Sequence, residues 1–179
     1  KTLVLLAVNL LLFFIIGRYL SEDHVQKAKA QDDKDLFNQA FADAHEIIVT
    51  RGKVDRERVL LVRTGNEWTL SEPLEWPANF FAARSILNGL QHIEAIPLFS
   101  AEELISEGES LGDYGLDLPS LTIEVTGPKG TIQLKFGDNT PDKTKVYALE
   151  PKSNRIFAVD QGLANDLAQP LQNLLKVLF

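Results

Sequence analysis

The chain has 179 residues, 45% of them hydrophobic and 24% charged, with 11 Gly and 8 Pro, a composition that excludes collagen-like and disordered classes. Its 25 Asp and Glu outnumber 18 Lys and Arg for a net charge of −7, so its surface repels phosphate backbones and nucleic acid is disfavoured as a partner. Without a cysteine there is no disulfide framework, thiol nucleophile, zinc knuckle or iron–sulfur cluster, and nothing in the sequence calls for a cofactor.

The N-terminal run Leu3–Ile16 holds one polar residue, Asn9, and with its neighbours reaches about 19 residues before Glu22-Asp23. That approaches the roughly 20 residues that cross a bilayer. A cleaved signal peptide is the rival reading, and Ala28-Lys29-Ala30 has the small-x-small form, but it lies across a charged stretch from the apolar core. Residues 1–20 therefore read as an uncleaved single transmembrane helix. Lys1 favours a cytoplasmic N-terminus, Phe13, Phe14 and Tyr19 suit the outer interface, and the acidic body falls on the periplasmic or extracytoplasmic side of a bacterial inner membrane. Asn9 is either hydrogen-bonding glue to another membrane helix or a tolerated polar residue.

Residues 21–45 read as a stalk helix whose apolar stripe is Leu36, Phe37, Ala40, Phe41 and Ala44. From residue 46 the text turns to strands: Glu46–Thr50, Val59–Arg63, a turn at Thr64-Gly65-Asn66, and Glu67–Leu70. Pro73 and Pro77 end this meander, and Asn79 is placed to cap a helix with the stripe Phe80, Ala83, Leu87, Leu90 and Ile93. A short helix is expected over Ala101–Glu107. Period two returns at Leu121–Thr126, Thr131–Phe136, Lys145–Leu149 and Arg155–Val159, with Gly127–Gly130 as a turn. Leu171, Leu174, Leu175 and Leu178 predict a closing helix with Pro170 in its first turn. Val59–Gln91 and Val146–Leu175 share the order strand, turn, strand, helix, so residues 46–179 are expected to be an α+β domain of antiparallel meanders packed with helices, in two ββα-like halves.

Three stretches, Glu67–Pro73 with Trp68, the helix of Ala78–Leu90, and Leu111-Gly-Asp-Tyr-Gly-Leu-Asp-Leu-Pro119, together with Gly137-Asp138, Val146-Tyr147 and Ile156–Val159, resemble the bacterial domain-of-unknown-function family 4340. The resemblance spans roughly residues 46–177. It implies a membrane-anchored envelope protein, accessory to a larger machine and often encoded beside ABC-type permeases related to gliding motility; it carries no catalytic residues to transfer. Within these motifs Gly115 suits a left-handed angle, Asp117 a turn cap and Pro119 the start of an extended segment. Trp68 and Tyr114 are large apolar bodies with one polar handle each, suited to pinning a loop onto a sheet.

Candidates for chemistry are weak. Gly108-Glu-Ser110-Leu-Gly112 has the form of a nucleophile elbow, but a helix precedes it, a turn follows, and His24, His45 and His92 all lie upstream. The histidines lack metal-ligand spacing, and the acidic run from Glu102 to Asp117 lacks the calcium-loop pattern and reads as a solvated face. Arg51, Lys53, Arg56 and Arg58, with Asp55 and Glu57 interspersed, either face anionic headgroups or an acidic partner, or protect an exposed edge. The expected function is a non-catalytic accessory or interaction subunit of an envelope complex, associated with an ABC-type transporter. The alternatives are a periplasmic binding module for glycan, lipid or peptide and, more distantly, an envelope serine hydrolase.

Overall fold

Alternation of buried and half-exposed residues, as in Leu121–Gly127 where every second side chain is buried, is the pattern that builds this protein. The computed structural model describes residue 41 and residues 43–177. These belong to the second of two compact units, Phe37–Phe179, and the expected anchor with Asn9 and nearly all of the expected stalk lie outside the described residues. Phe41 and Ala44 are buried, so the end of the stalk stripe is core. Among the described residues no helix is long and apolar enough to cross a membrane.

Among the described residues nine strands form one antiparallel sheet: β1 (Glu46–Arg51), β2 (Glu57–Thr64), β3 (Glu67–Glu72), β4 (Trp76–Pro77), β5 (Ile96–Ser100), β6 (Leu121–Gly127), β7 (Gly130–Asn139), β8 (Lys145–Glu150) and β9 (Arg155–Asp160). Their spatial order is β4-β3-β2-β1-β6-β7-β8-β9-β5. Among the described residues the helices are α1 (Phe80–Gln91), α2 (Ala101–Ser106), α3 (Gln161–Leu167) and the single turn α4 (Leu171–Leu174), with a 3-10 turn at Leu111–Tyr114.

This corrects the expected α+β domain of two ββα-like halves. Both strand-turn-strand-helix segments exist in the chain, but β1 pairs with β6 through Ile47 with Val125 and Val49 with Ile123, which merges them into a single sheet. Two further strands, β4 and β5, extend its edges. Residues 96–100 were not expected to pair; Pro97 breaks the pattern, and β5 accommodates it at a bulge on the terminal position against β9, where a missing N–H is tolerated. The closing helix is one turn rather than two, with Pro170 at its N-cap, and Leu175 instead bridges to Ala78 in an extended backbone.

Directly paired residues share a face, so the register sorts the side chains. One face carries Leu70, Leu61, Ile47, Val125, Leu134 and Phe157 in a continuous apolar layer. Against this side of the sheet α1 contacts β3, α3 contacts β8 and β9, and the two helices meet where Gly89 leaves room for Leu163 and Leu167. On the opposite face a second, smaller core joins Leu149 and Ile156 to Leu104 of α2 and to Leu116.

Candidate functional site: an aromatic cleft beside β4

The sheet ends at β4, only two residues long, and its far side is completed by the segment after α4. Lys176 N donates to Pro77 O at 2.9 Å, Trp76 Nε1 donates to Lys176 O at 3.0 Å, and Asn79 N donates to Leu174 O at 2.8 Å. Asn79 also caps α1 as its residue type foretells: its Oδ1 accepts from Phe81 N at 3.1 Å and Ala82 N at 3.4 Å, while its Nδ2 donates to Asn173 O at 3.1 Å. One asparagine thus fixes both the start of α1 and the C-terminal segment. Trp68, 5% exposed, is pinned from behind, its carbonyl accepting from Ala78 N at 2.9 Å.

Between these elements lies a cleft of about 830 Å³. Trp68, Trp76, Phe80 and Phe81 line it together with Glu67, Glu75 and Lys176. Trp76 is 38% exposed, Phe80 41% and Phe81 79%, and the two phenylalanine rings stand edge to face at 5.7 Å. The α1 stripe explains this exposure. Ala83, Ile86 and Leu90 are the buried residues, so the helix is rotated from the expected stripe and Phe80 belongs to the cleft rather than the core. Sequence reasoning missed the cleft for that reason; Trp76-Pro-Ala-Asn-Phe-Phe81, three aromatic rings within six residues, was the signal available.

The basic cluster does not converge. Arg51 turns inward with its side chain 16% exposed; its Nη1 donates to Gln169 O at 2.6 Å and Ala168 O at 3.3 Å and its Nη2 meets Glu57 at 2.6 Å, which ties β1 to the end of α3. Lys53 pairs with Asp138 at 2.6 Å, Arg58 pairs with Glu72, and Arg56 is exposed. Pro73, which follows Glu72 through a cis peptide, is exposed at the bend into β4.

The remaining motif residues interlock. Tyr114 sits edge to face between Phe99 at 5.2 Å and Tyr147 at 4.8 Å, and its hydroxyl donates to Glu109, which pushes the phenol up to about 12. Gly115 adopts φ +67 beside the Asp138 carboxylate, where a Cβ would lie 2.6 Å from Asp138 Cγ, and a Cβ on Gly137 would overlap the Tyr114 carbonyl oxygen. The Tyr-Gly-Leu-Asp turn and the Gly-Asp pair, 22 residues apart, are one contact. Asp117 Oδ1 accepts from Leu118 N at 2.8 Å as a turn cap, and buried Pro119 leads into β6.

Ser110 is a cap as well: its Oγ donates to Asp113 Oδ2 at 2.8 Å, and that bond with the Ser110 N–H holds the Asp113 carboxyl below its usual range. Two more carboxylates of the acidic run are engaged, Glu103 in the α2 capping box and Glu102 accepting from Asn154 Nδ2, 52 residues away, at 2.9 Å. His45 leads into β1, its N–H donating to Thr126 O, and the His92 ring bonds Asn88 O at 2.9 Å; among the described residues no group of three or more His, Asp and Glu gathers to hold a metal.

Fold and cleft together define an antiparallel-sheet domain with an exposed aromatic surface at one edge. The chain matches the family described as Domain of unknown function (DUF4340) over residues 68–176, more than half its length, and belongs to that family. The matched segment begins at Trp68 and ends at Lys176, two residues of the cleft. No curated protein and no solved structure matches the chain.

Proposed function

We propose that this protein is a non-catalytic interaction subunit of a bacterial envelope complex, tethered to the membrane by the apolar run Leu3–Ile16 and docking on its partner through the aromatic cleft. The observation that carries this reading is the exposure of Trp76, Phe80 and Phe81 in one concavity. Large apolar side chains clustered at the surface in one concavity mark an interaction surface. The tether places the body beside its partner, so a modest docking affinity suffices at the high effective concentration of a membrane surface. Association with an ABC-type permease follows from the family resemblance alone. The Ser110 hydroxyl is engaged by Asp113 in a local cap, which favours docking over the hydrolase reading.

The test is site-specific crosslinking in cells that carry the full chain. A photoreactive phenylalanine analogue at Phe81 is expected to trap a discrete envelope protein. The same analogue at Ile105, which is 68% exposed on α2, should not. Equal and diffuse labelling from both positions refutes the docking surface. A binding module for glycan, lipid or peptide is the second reading, because the cleft volume falls in the range of about 300–1,000 Å³ that encloses small ligands.

A further inference from the structure

The chemistry of the cleft specifies its occupant. Two of its side-chain donors are consumed, Trp76 Nε1 by Lys176 O and Asn79 Nδ2 by Asn173 O, while Asn66, Trp68, Thr69 and Lys176 also line it. Beside these donors it offers carboxylate acceptors and ring faces. Glu67 and Glu75 make no side-chain hydrogen bond or ion pair among the described residues. Trp76, Phe80 and Phe81 present aromatic surface, whose electron-rich faces attract cations. Lys176 is the opposing charge, and it leaves the cleft with one net negative charge on a chain of net −7. The N-terminus of α1 adds partial positive charge, but the amides of Phe81 and Ala82 are already satisfied by Asn79.

Carboxylates beside aromatic rings suit a guanidinium better than any other common side chain. Its flat fork pairs with carboxylate while its face stacks on an aromatic ring, and it is more weakly hydrated than an ammonium. An anionic lipid surface is disfavoured by Glu67 and Glu75 on the same grounds. We propose that the cleft docks an arginine-bearing linear segment of a partner protein, with Glu67 and Glu75 receiving the guanidinium groups and Trp76, Phe80 and Phe81 receiving their faces and the intervening apolar side chains. This rests on the docking role proposed for the cleft and names the chemistry it recognises.

The experiment uses the full chain in mild detergent and a fluorescein-labelled peptide, Gly-Arg-Leu-Arg-Pro-Arg-Gly, read by fluorescence anisotropy. Its partner probe replaces each arginine with citrulline, which keeps the shape and removes the charge. The arginine probe is expected to bind at least roughly tenfold tighter than the citrulline probe, and the double variant Glu67→Gln, Glu75→Gln to erase that difference. Phe81→Ala should weaken the arginine probe by about tenfold, since the ring is exposed and its loss leaves the core intact. Circular dichroism confirms that each variant folds. Equal binding of the two probes overturns the cationic specificity while leaving the docking reading intact, which the Phe81 crosslink decides separately. No binding of the arginine probe at millimolar concentration also overturns it, as does Phe81-dependent binding to phosphatidylcholine vesicles that the peptide fails to displace.

Discussion

Replacing Gly137 with alanine tests whether the two family motifs truly form one contact. A Cβ there would overlap the Tyr114 carbonyl oxygen and approach the Gly115 carbonyl carbon to 3.0 Å and Leu116 Cδ2 to 3.1 Å. Two of those three atoms are backbone and cannot swing aside, so the 3-10 turn has to lift from β7. Lifting it disturbs Tyr114 between Phe99 and Tyr147, and Leu116, which is 1% exposed. Overpacking of this kind costs about 1–3 kcal/mol, and with aromatic pairs worth roughly 0.5–1.5 kcal/mol each also at stake, the upper end, about 3 kcal/mol, is expected. Gly112→Ala is the matched control, since its Cβ would meet nothing closer than the Asp117 carboxylate at 3.4 Å, and a change under about 0.5 kcal/mol is expected. Urea unfolding of the full chain, compared at unchanged slope, measures both, and the near-ultraviolet tyrosine dichroism reports the seating of Tyr114. If Gly137→Ala unfolds at the same urea concentration as Gly112→Ala, the interlock is looser than the structure shows and the argument fails.

Trp68→Ala should destabilise the fold by about 3–5 kcal/mol because the ring is 5% exposed, whereas Trp76→Ala, at 38% exposure, should cost far less; equal losses in urea midpoint would contradict the separation of floor from rim. Asn79→Ala removes the cap of α1 and the bond to Asn173 together, so a loss of about 2 kcal/mol is expected, more than a cap alone, and Asn79→Asp should recover the capping part in the same unfolding assay. Asp142 is held down to about 2 by the Thr140 and Thr144 hydroxyls and the Thr144 N–H, so its contribution is complete above the free-chain value of 3.8 and is lost as pH falls toward about 2. Asp142→Asn should flatten that limb of the acid unfolding curve, and a carboxyl resonance titrating near 3.8 in the folded protein would rule the effect out.

Local signals carried the elements well. The two-residue periods at Glu46–Thr50, Leu121–Thr126 and Thr131–Phe136, the turn at Gly65-Asn66 and the cap at Asn79 all depend on contacts within a few residues, and they appear where the sequence places them. The elements that were missed are the ones defined by distant partners. β5 exists because β9 has an open edge, and β4 is strand because β3 and the segment after α4 flank it. α3 is a short helix whose apolar residues Ala164 and Leu167 show their purpose only against the sheet.

For the candidate site the division is the same. Composition and motifs by themselves determined the acidic character, seven of the nine strands, the cap at Asn79 and the family, because each is written in residue type at short spacing. Which aromatic is floor and which is rim, that Arg51 clasps the end of α3 instead of facing a partner, and that Tyr114 and Gly137 share one contact were decided only by tertiary structure. The physical reason lies in the pairing of β1 with β6: a strand edge offers the same amide and carbonyl groups to any partner, so the identity of the neighbour comes from which register buries the whole apolar layer at once.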